Sequence, residues 1–564
     1  MTITAPADSL ALQRLYQWER NAPDRIAFTQ PLGDGAVRDY TWAEVLDQSR
    51  RMATHLKSLG VKEGDRVALI AKNTAHWMMS DYAIWLAGGV SVPLYPTLAP
   101  GTIRQILEHS ESKLLFVGKL DGWAHMKPGV PAGLACIAHP LAPDDAKAGY
   151  PCWDDIVADA KPLKGRPLRD GASLATIMYT SGTTGTPKGV MHSFAAFALA
   201  VNEGLKRIPL NEGSRMLSYL PLSHVVERAL VEHGQLATGM RVYFAESLDT
   251  FAADMQRARP TVFFSVPRLW VKFQHVVHSK LPSSRLGLLL KLPILGGLVR
   301  RKVIAGLGLD QCQFAAGGAA PMPVQLLQWY ARLGLRVAEG YGMTENIGAS
   351  HLGSGDPAGF GTVGPAYGGV ECRIDPSNGE IQVRCPWTML GYYKEPALTA
   401  AVLPADGWLC TGDKGAIDAR GFLKITGRVK DLFKTSKGKY VAPGPIEDKL
   451  VMHEAIEACC VTGANLGQPL ALAMLNAEAL VQIADPTARS ELEASLAAHL
   501  KALNDTLDPH EQLDCLVVTA EAWTVDNDLI TPTFKVKRNR IEEVYAPLFE
   551  RWTSARRPIV WHPA

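Results

Sequence analysis

The sequence predicts an α/β protein of several units: parallel-sheet α/β subdomains first, then a β-rich stretch, then a small α+β C-terminal domain. Three observations carry this. Short apolar strands alternate with helical patterns from Thr41 onward, which means crossover units and a largely parallel sheet. Past Gly361 the chain becomes turn-punctuated and rich in strand signals, and from about residue 445, after a Lys-rich polar stretch, compact helix and strand alternation resumes. At roughly one domain per 150 residues, the 564 residues hold three or four such units.

In order, Val45, Leu46, Met52, Leu56 and Leu59 follow helical spacing, and Gly60 supplies a stop. Residues 66–70 read as a buried strand, 75–86 as a helix, 90–94 as a strand, 101–109 as a helix and 114–117 as a strand. Apolar runs at 174–179, 216–220, 262–266, 313–316 and 335–338 continue the strand series. Residues 225–236 read as a helix. In the β-rich part, 380–384 and 421–425 read as strands with a turn at Asp406-Gly407. Residues 446–453, 491–503 and 513–518 read as elements of the last domain. The principal boundary falls at 428–431, giving a unit 1–428, with its β-rich part at about 361–428, and a unit 429–564.

Composition narrows the function classes. Hydrophobic residues at 47% and charged residues at 20% exclude a disordered tail, a collagen-like rod and a coiled coil. With 58 Lys and Arg against 56 Asp and Glu, no global field draws in nucleic acid. No stretch of about 20 apolar residues reads as a spanning helix, and the start lacks the pattern of a secretory signal. Nine cysteines without a C-x-x-C pair read as free thiols of a reducing compartment, so a cytoplasmic protein is expected. The apolar run 286–299, followed by Arg300, Arg301 and Lys302, reads first as a buried helix with cations at its C-terminus; peripheral membrane contact is the other reading. The composition is compatible with a homodimer.

The most informative segment is YTSGTTGTPKG, Tyr179 to Gly189. An apolar strand feeds a loop with three glycines, five hydroxyls and Lys188. Glycines let backbone N–H groups approach an anion, hydroxyls donate to phosphate oxygens, and Lys188 adds charge. It is not the Walker-type loop, because Pro187 precedes the lysine and Gly189 follows it. A polar turn is the competing reading, and the density of hydroxyls beside Lys188 favours phosphate. The run Gly359 to Gly364 fits G-x-G-x-x-G, but it lacks a preceding strand and Pro365 follows it, so no dinucleotide site is expected. G-x-S-x-G and H-E-x-x-H do not occur, which removes the leading evidence for serine and zinc hydrolases. GGAAP (317–321) and EGYGMTE (339–345) follow strands at the carboxyl ends, where α/β sheets place ligands. Asp413 alone would be a turn residue, Arg428 alone a surface charge, and His224 alone a structural histidine.

Taken together and in order, YTSGTTGTPKG, LPLSHVVER (220–228), GGAAP, EGYGMTE, TGD (411–413), GRVKDLFKTSKGKYVAP (427–443) and LITPTFKVKR (529–538) resemble the adenylate-forming superfamily. That superfamily includes acyl-CoA synthetases, luciferases and peptide-synthetase adenylation domains. The match spans about residues 20–545, and PLSHVVER, SVPRLW (265–270) and TPTFKVKR are most similar to the long-chain fatty acyl-CoA synthetase branch.

The resemblance implies two steps: a carboxylate attacks the α-phosphorus of ATP to give acyl adenylate and pyrophosphate, and a thiol, usually CoA, displaces AMP. It implies a small, mobile C-terminal domain with a hinge at Lys430. Thr180, Ser181, Gly182, Thr183, Thr184, Gly185 and Lys188 would surround the β- and γ-phosphates. Gly317, Gly318 and Ala319, with Glu339, Gly340, Tyr341 and Gly342, would line the base pocket, Tyr341 against the adenine face. Thr344 would contact the α-phosphate, and Glu345 with Thr184 would hold Mg²⁺. Asp413 would accept from the ribose hydroxyls, supported by Arg428. Lys535 would be the catalytic lysine of adenylation, although many relatives read P-S-G-K where this chain has Pro532 to Lys535; Lys537, two residues on, leaves the register open. His224 would border the acyl carboxylate, and Lys434 would meet AMP or CoA. Some long-chain relatives place a gating tryptophan where this chain has Arg228. The implied activity is activation of a medium- or long-chain fatty acid. The competing readings are an acyl-AMP ligase loading a carrier protein, activation of an aromatic or cyclic acid, and a catalytically silent acyl or nucleotide binder.

Overall fold

The computed structural model describes residues 4–181, 187–531 and 535–563. Its centre is a seven-stranded sheet ordered Gly391–Tyr392, Pro187–Ser193, Leu174–Ser181, Val90–Leu94, Arg66–Ile70, Leu114–Val117 and Ala135–Ala138. From Leu174–Ser181 through Ala135–Ala138 the strands run parallel, while Pro187–Ser193 and Gly391–Tyr392 join antiparallel. The inner strands are apolar on both faces because helices cover both. Helix Ala75–Ala87 is buried all round, and Trp77, Tyr82 and Trp85 fill the core there. Helix Trp42–Ser58 starts at a capping box: the Glu44 N–H donates to Thr41 Oγ1, and the Thr41 N–H donates to Glu44 Oε2 at 2.7 Å.

A second sheet joins Val262–Ser265, Phe314–Gly317 and Val337–Tyr341 in parallel, with His351–Leu352 antiparallel at its edge. A third joins Ala36–Thr41, Ile26–Gly33, Arg241–Phe244 and Arg215–Ser218. The β-rich part is an antiparallel sheet, Glu371–Ile374, Glu380–Arg384, Leu409–Ile417 and Leu423–Arg428. Beyond it lie the pair Phe433–Lys434 and Tyr440–Val441 and a four-stranded mixed sheet, Ile456–Thr462, Leu470–Leu475, Leu516–Thr519 and Ile559–His562, packed on helix Pro486–Asn504. The hydrophobic core changes along the chain at this point. Leu423 and Ile425 pack with Tyr341 and Val383, whereas Phe433 begins a cluster formed with Val441, Ala471, Ala473 and Leu496.

Four local expectations need correction. The strand read at 335–338 is Val337–Tyr341, so Glu339, Gly340 and Tyr341 belong to the strand and not to a loop after it. The helix read at 225–236 contains a π-helical turn at Arg228–His233 between Val225–Glu227 and Gly234–Thr238. Lys188 lies on the returning strand of a hairpin, not in a loop. The run 286–299 forms two helices, Ser283–Leu289 and Pro293–Gly306, and several of its large apolar side chains are exposed, not buried. The nine cysteines are free. Gly359 to Gly364 has no strand before it and no helix after it, as the sequence implied.

Candidate active site

One cavity of about 2820 Å³ runs along the carboxyl ends of the second sheet and between the β-rich sheet and the last domain. Strand register assembles its first wall. Gly317 pairs with Ser265 on one side and Glu339 on the other, so the segments 317–319 and 339–342 reach the cavity side by side. Close approach demands glycine here: a Cβ on Gly318 would lie 2.9 Å from the Gly340 carbonyl oxygen, and one on Gly342 would lie 2.3 Å from the Gly348 carbonyl carbon. Ala319 follows with φ +68°, in the left-handed region that most side chains avoid. Glu339 Oε1 accepts from the Met322 N–H at 3.2 Å, and burial pushes its carboxyl up to about 7.

Tyr341, Asp413 and Arg428 form a chain across the cavity. The Tyr341 hydroxyl donates to Asp413 Oδ2 at 2.8 Å, and Arg428 Nε donates to Oδ1 at 3.0 Å. A carboxylate has about four acceptor positions, so two remain open for another pair of donors. Pairing of Asp413 with Arg428 across adjacent strands fixes this geometry.

Thr344 and Glu345 sit in the turn after Tyr341. His192 Nε2 donates to the Thr344 carbonyl at 2.7 Å, and burial holds the His192 imidazole down at about 4. Tyr392 donates through its hydroxyl to Glu345 Oε1 at 2.7 Å, and Lys188 Nζ lies 5.5 Å from the Tyr392 ring centroid. Burial raises the Glu345 carboxyl, against the Tyr392 hydrogen bond and the charge of Lys188. Thr180 pairs with Lys188, and both line the cavity. Ser181 ends its strand opposite Pro187. Gly182, Thr183, Thr184 and Gly185 lie outside the described residues.

His224 caps the short helix Val225–Glu227, and its Nδ1 accepts from the Val226 N–H at 3.3 Å. Burial first, and the charge of Lys535 second, hold its imidazole at about 4. The ring is therefore neutral at pH 7 with its proton on Nε2, a donor. Asn73 fixes the approach to it, donating to the Leu220 carbonyl and accepting from the Leu222 N–H at 2.9 Å. Glu227 accepts from Ser218, and from the Tyr219 N–H at 3.1 Å; burial pushes it up to about 8.

Lys535 enters the same cavity from the last domain. Its backbone is tied to Thr531, the Thr531 N–H donating to the Lys535 carbonyl at 2.8 Å and the Lys535 N–H to Thr531 Oγ1 at 3.0 Å. The side chain has free surface within the cavity yet is enclosed by protein, and that enclosure lowers its pKa, assisted by Arg428 and opposed by Asp413. Lys537 lines the same cavity but is held there in an ion pair with Asp528. Lys430 lies exposed in the turn after Arg428, and Lys434 sits exposed with its Nζ 5.7 Å from the Tyr440 ring; neither lines the cavity. Arg228 is fully buried, away from the cavity, in ion pairs with Asp81 and with Glu232 at 3.0 Å.

Tyr392, His192 and Asn73 escaped the sequence reading. Tyr392 lies in GYYKEP (391–396), which carries a turn signal and no chemistry. Only the pairing of Gly391–Tyr392 with Met191 and Val190 carries its hydroxyl to Glu345.

The AMP-binding enzyme family model matches residues 15–393. A long-chain-fatty-acid–CoA ligase of Mycobacterium bovis is 31% identical over an alignment of 581 residues, covering 94% of this chain and 95% of the relative. Long chain acyl-CoA synthetase 7, peroxisomal, of Arabidopsis thaliana is 28% identical over 602 residues, covering 94% and 84%. Among solved structures, the A domain of carboxylic acid reductase from Segniliparus rugosus, in complex with AMP and a co-purified carboxylic acid, superposes with a TM-score of 0.80 at 23% identity, covering 97% of this chain and 94% of that one. With the family model spanning about two thirds of its length and a relative above 30% identity along nearly all of it, the chain belongs to the AMP-binding enzyme family.

Proposed function

We propose that the chain is an AMP-forming acid–thiol ligase that converts a medium- or long-chain fatty acid, ATP and CoA into acyl-CoA, AMP and pyrophosphate. The observation that carries this is the meeting of Lys535 with His224 and the Tyr341–Asp413–Arg428 chain in one cavity that continues between apolar walls. Ala200, Gly204, Leu210, Ala229 and Leu230 line that continuation, a surface for an alkyl chain.

In the first step a carboxylate oxygen of the acid bonds to the α-phosphorus, and the bond to the β-phosphate oxygen breaks. Negative charge builds on the α-phosphoryl oxygens, where the Lys535 ammonium stabilises it. The neutral His224 donates through Nε2–H to the acid's carboxylate and orients it; a protonated ring would hold the substrate as an ion pair instead. Asp413 receives the vicinal ribose hydroxyls on its open acceptor positions, and the Gly317 to Ala319 backbone with Tyr341 flanks the base. Lys188 and Thr180 face the terminal phosphates. In the second step the CoA thiolate sulfur bonds to the carbonyl carbon and AMP leaves, a far better leaving group than the oxide of a free carboxylate.

Mg²⁺ is the expected cofactor. It usually takes one or two carboxylates together with phosphate oxygens and water, and Glu345, a single buried carboxylate facing the cavity, fits that demand. Bound there, it would offset phosphate charge. Lys430, exposed between the two hydrophobic cores, is placed to act as a hinge that withdraws Lys535 after the first step and brings Lys434 toward the site.

The test is mass spectrometry of a reaction containing ATP, Mg²⁺, CoA and a panel of carboxylic acids. Acyl-CoA from the aliphatic acids of the panel is expected. Acyl adenylate with CoA unconsumed would overturn the assignment of CoA as acceptor, and turnover of aromatic acids alone would overturn the fatty-acid assignment.

A further inference from the structure

We infer that the helical hairpin Ser283–Leu289 and Pro293–Gly306 is a docking surface for an anionic lipid bilayer. The hairpin has two apolar faces. Leu286, Leu290, Val299, Val303 and Ile304 point inward and join the core around Trp270 and Tyr330. Leu288, Leu292, Ile294, Leu295 and Leu298 point outward and are exposed, Ile294 by 83% and Leu288 by 66%. Folding explains the first face. It leaves the second, five large aliphatic side chains within eleven residues, in water.

Charge identifies what covers it. From Met255 to Leu309 the chain carries ten Lys or Arg and no Asp or Glu, although the whole protein is nearly neutral. Arg257, Arg259 and Arg268 are neutralised by Asp254, Asp310 and Glu457. Arg285, Lys291, Arg300, Arg301 and Lys302, the five on or between the two helices, are exposed and have no carboxylate partner among the described residues. Exposed leucines flanked by unpaired cations match an interface that is apolar inside and negatively charged at its surface. A second copy of this chain fits badly, since two such hairpins would bring like charges together. Nucleic acid would use the cations and leave the aliphatic side chains wet.

The hairpin also adjoins the cavity. Helix Pro267–Lys280, which runs directly into it, lines the cavity with Arg268, Val271, Lys272, His275, Val276 and Ser279. Docking through the hairpin therefore holds that rim at the membrane surface, where a water-insoluble substrate of this site would be concentrated. The surface itself stands on its own residues, whatever acid the site takes.

Vesicle flotation of the full chain tests it, with vesicles of phosphatidylcholine alone and of phosphatidylcholine mixed with phosphatidylglycerol. The protein should float with the mixed vesicles, less so as salt rises. Ile294→Asp with Leu298→Asp should cut partitioning by about tenfold or more, with thermal unfolding unchanged, because neither side chain packs on the core. Arg300→Gln, Arg301→Gln and Lys302→Gln together should remove the preference for anionic vesicles. Failure to float with either vesicle, or flotation undiminished in the Asp variant, overturns the inference. So does a wild-type oligomer that the Asp variant converts to monomer, which would assign the face to a second copy.

Discussion

Lys535 and Lys537 lie two residues apart in an extended segment, and spacing alone sends them the same way. Both do line the cavity, and their partners distinguish them: Lys537 is spent on Asp528, while Lys535 is close enough to His224, Arg428 and Asp413 to perturb or be perturbed by each. Replacing Lys535 with alanine should therefore lower adenylate formation by about 10²–10³, the usual loss when a charge aimed at the transition state is removed. Thioester formation from supplied acyl adenylate should change only a few-fold. Pyrophosphate release measures the first and acyl-CoA appearance the second; equal loss of both would mean that Lys535 is structural. His224 illustrates the opposite limit of sequence reading. Its motif located it, but its charge state follows from burial and from Lys535, more than 300 residues away.

Among the elements, the π-helical turn Arg228–His233 decides what the helix beside the cavity presents. Ala229 and Leu230 face the cavity, while Arg228 and Glu232, one turn apart, face the core. There Arg228 meets Asp81 and donates to Thr176 Oγ1 at 2.7 Å, and His233 stacks on Phe197 with ring centroids 4.1 Å apart. Burial raises both the Asp81 and Glu232 carboxyls, Glu232 strongly, with Arg228 opposing the rise in each. Arg228 thus occupies no gate. Its replacement by alanine leaves two buried carboxyls without their cation, and should cost about 3–5 kcal/mol of stability in denaturant unfolding. Acid preference across a chain-length series should not change. A periodic helix was legible from the sequence; the polar side facing inward was not, because Asp81 and Thr176 are brought there by other elements.

At the scale of the whole molecule, two properties depend on many groups at once. Seven histidines are held well below their ordinary value by burial: His139 at about 3, His192, His224, His351 and His453 at about 4, and His76 and His233 as well. As pH falls below about 6.5 the unfolded chain binds protons that the native chain refuses, so stability should fall between about pH 6.5 and 4. Glu227 at about 8 and Glu339 and Asp448 at about 7 act oppositely, favouring the native state below about 4.5 and losing that contribution as pH rises toward 8. Glu232, raised strongly, joins these three; the seven histidines outnumber the four acids, so the denaturation midpoint should drop from pH 6.5 to pH 4.5, and a flat or rising midpoint would contradict the burial of these histidines. The second property is the proposed swing about Lys430. Lys430→Pro should leave pyrophosphate release within a few-fold and abolish thioester formation, since proline restricts φ at the one exposed residue of that turn placed to change it.

What the sequence by itself determined was local and ordered. Strands at 66–70, 90–94, 114–117 and 380–384 were readable because continuous apolar runs bounded by turn residues have few other uses. The motifs, through the resemblance they carry, picked out Tyr341, Glu345, Asp413 and Lys535, and all four line one cavity. The tertiary structure alone decided which groups meet. It brought the Tyr392 hydroxyl to Glu345, paired Lys537 and not Lys535 with Asp528, buried Arg228, and left the outer face of the 283–306 hairpin in water. The reason is physical: periodicity reports that a face is apolar, but whether that face meets the core or the solvent depends on what else has already filled the core.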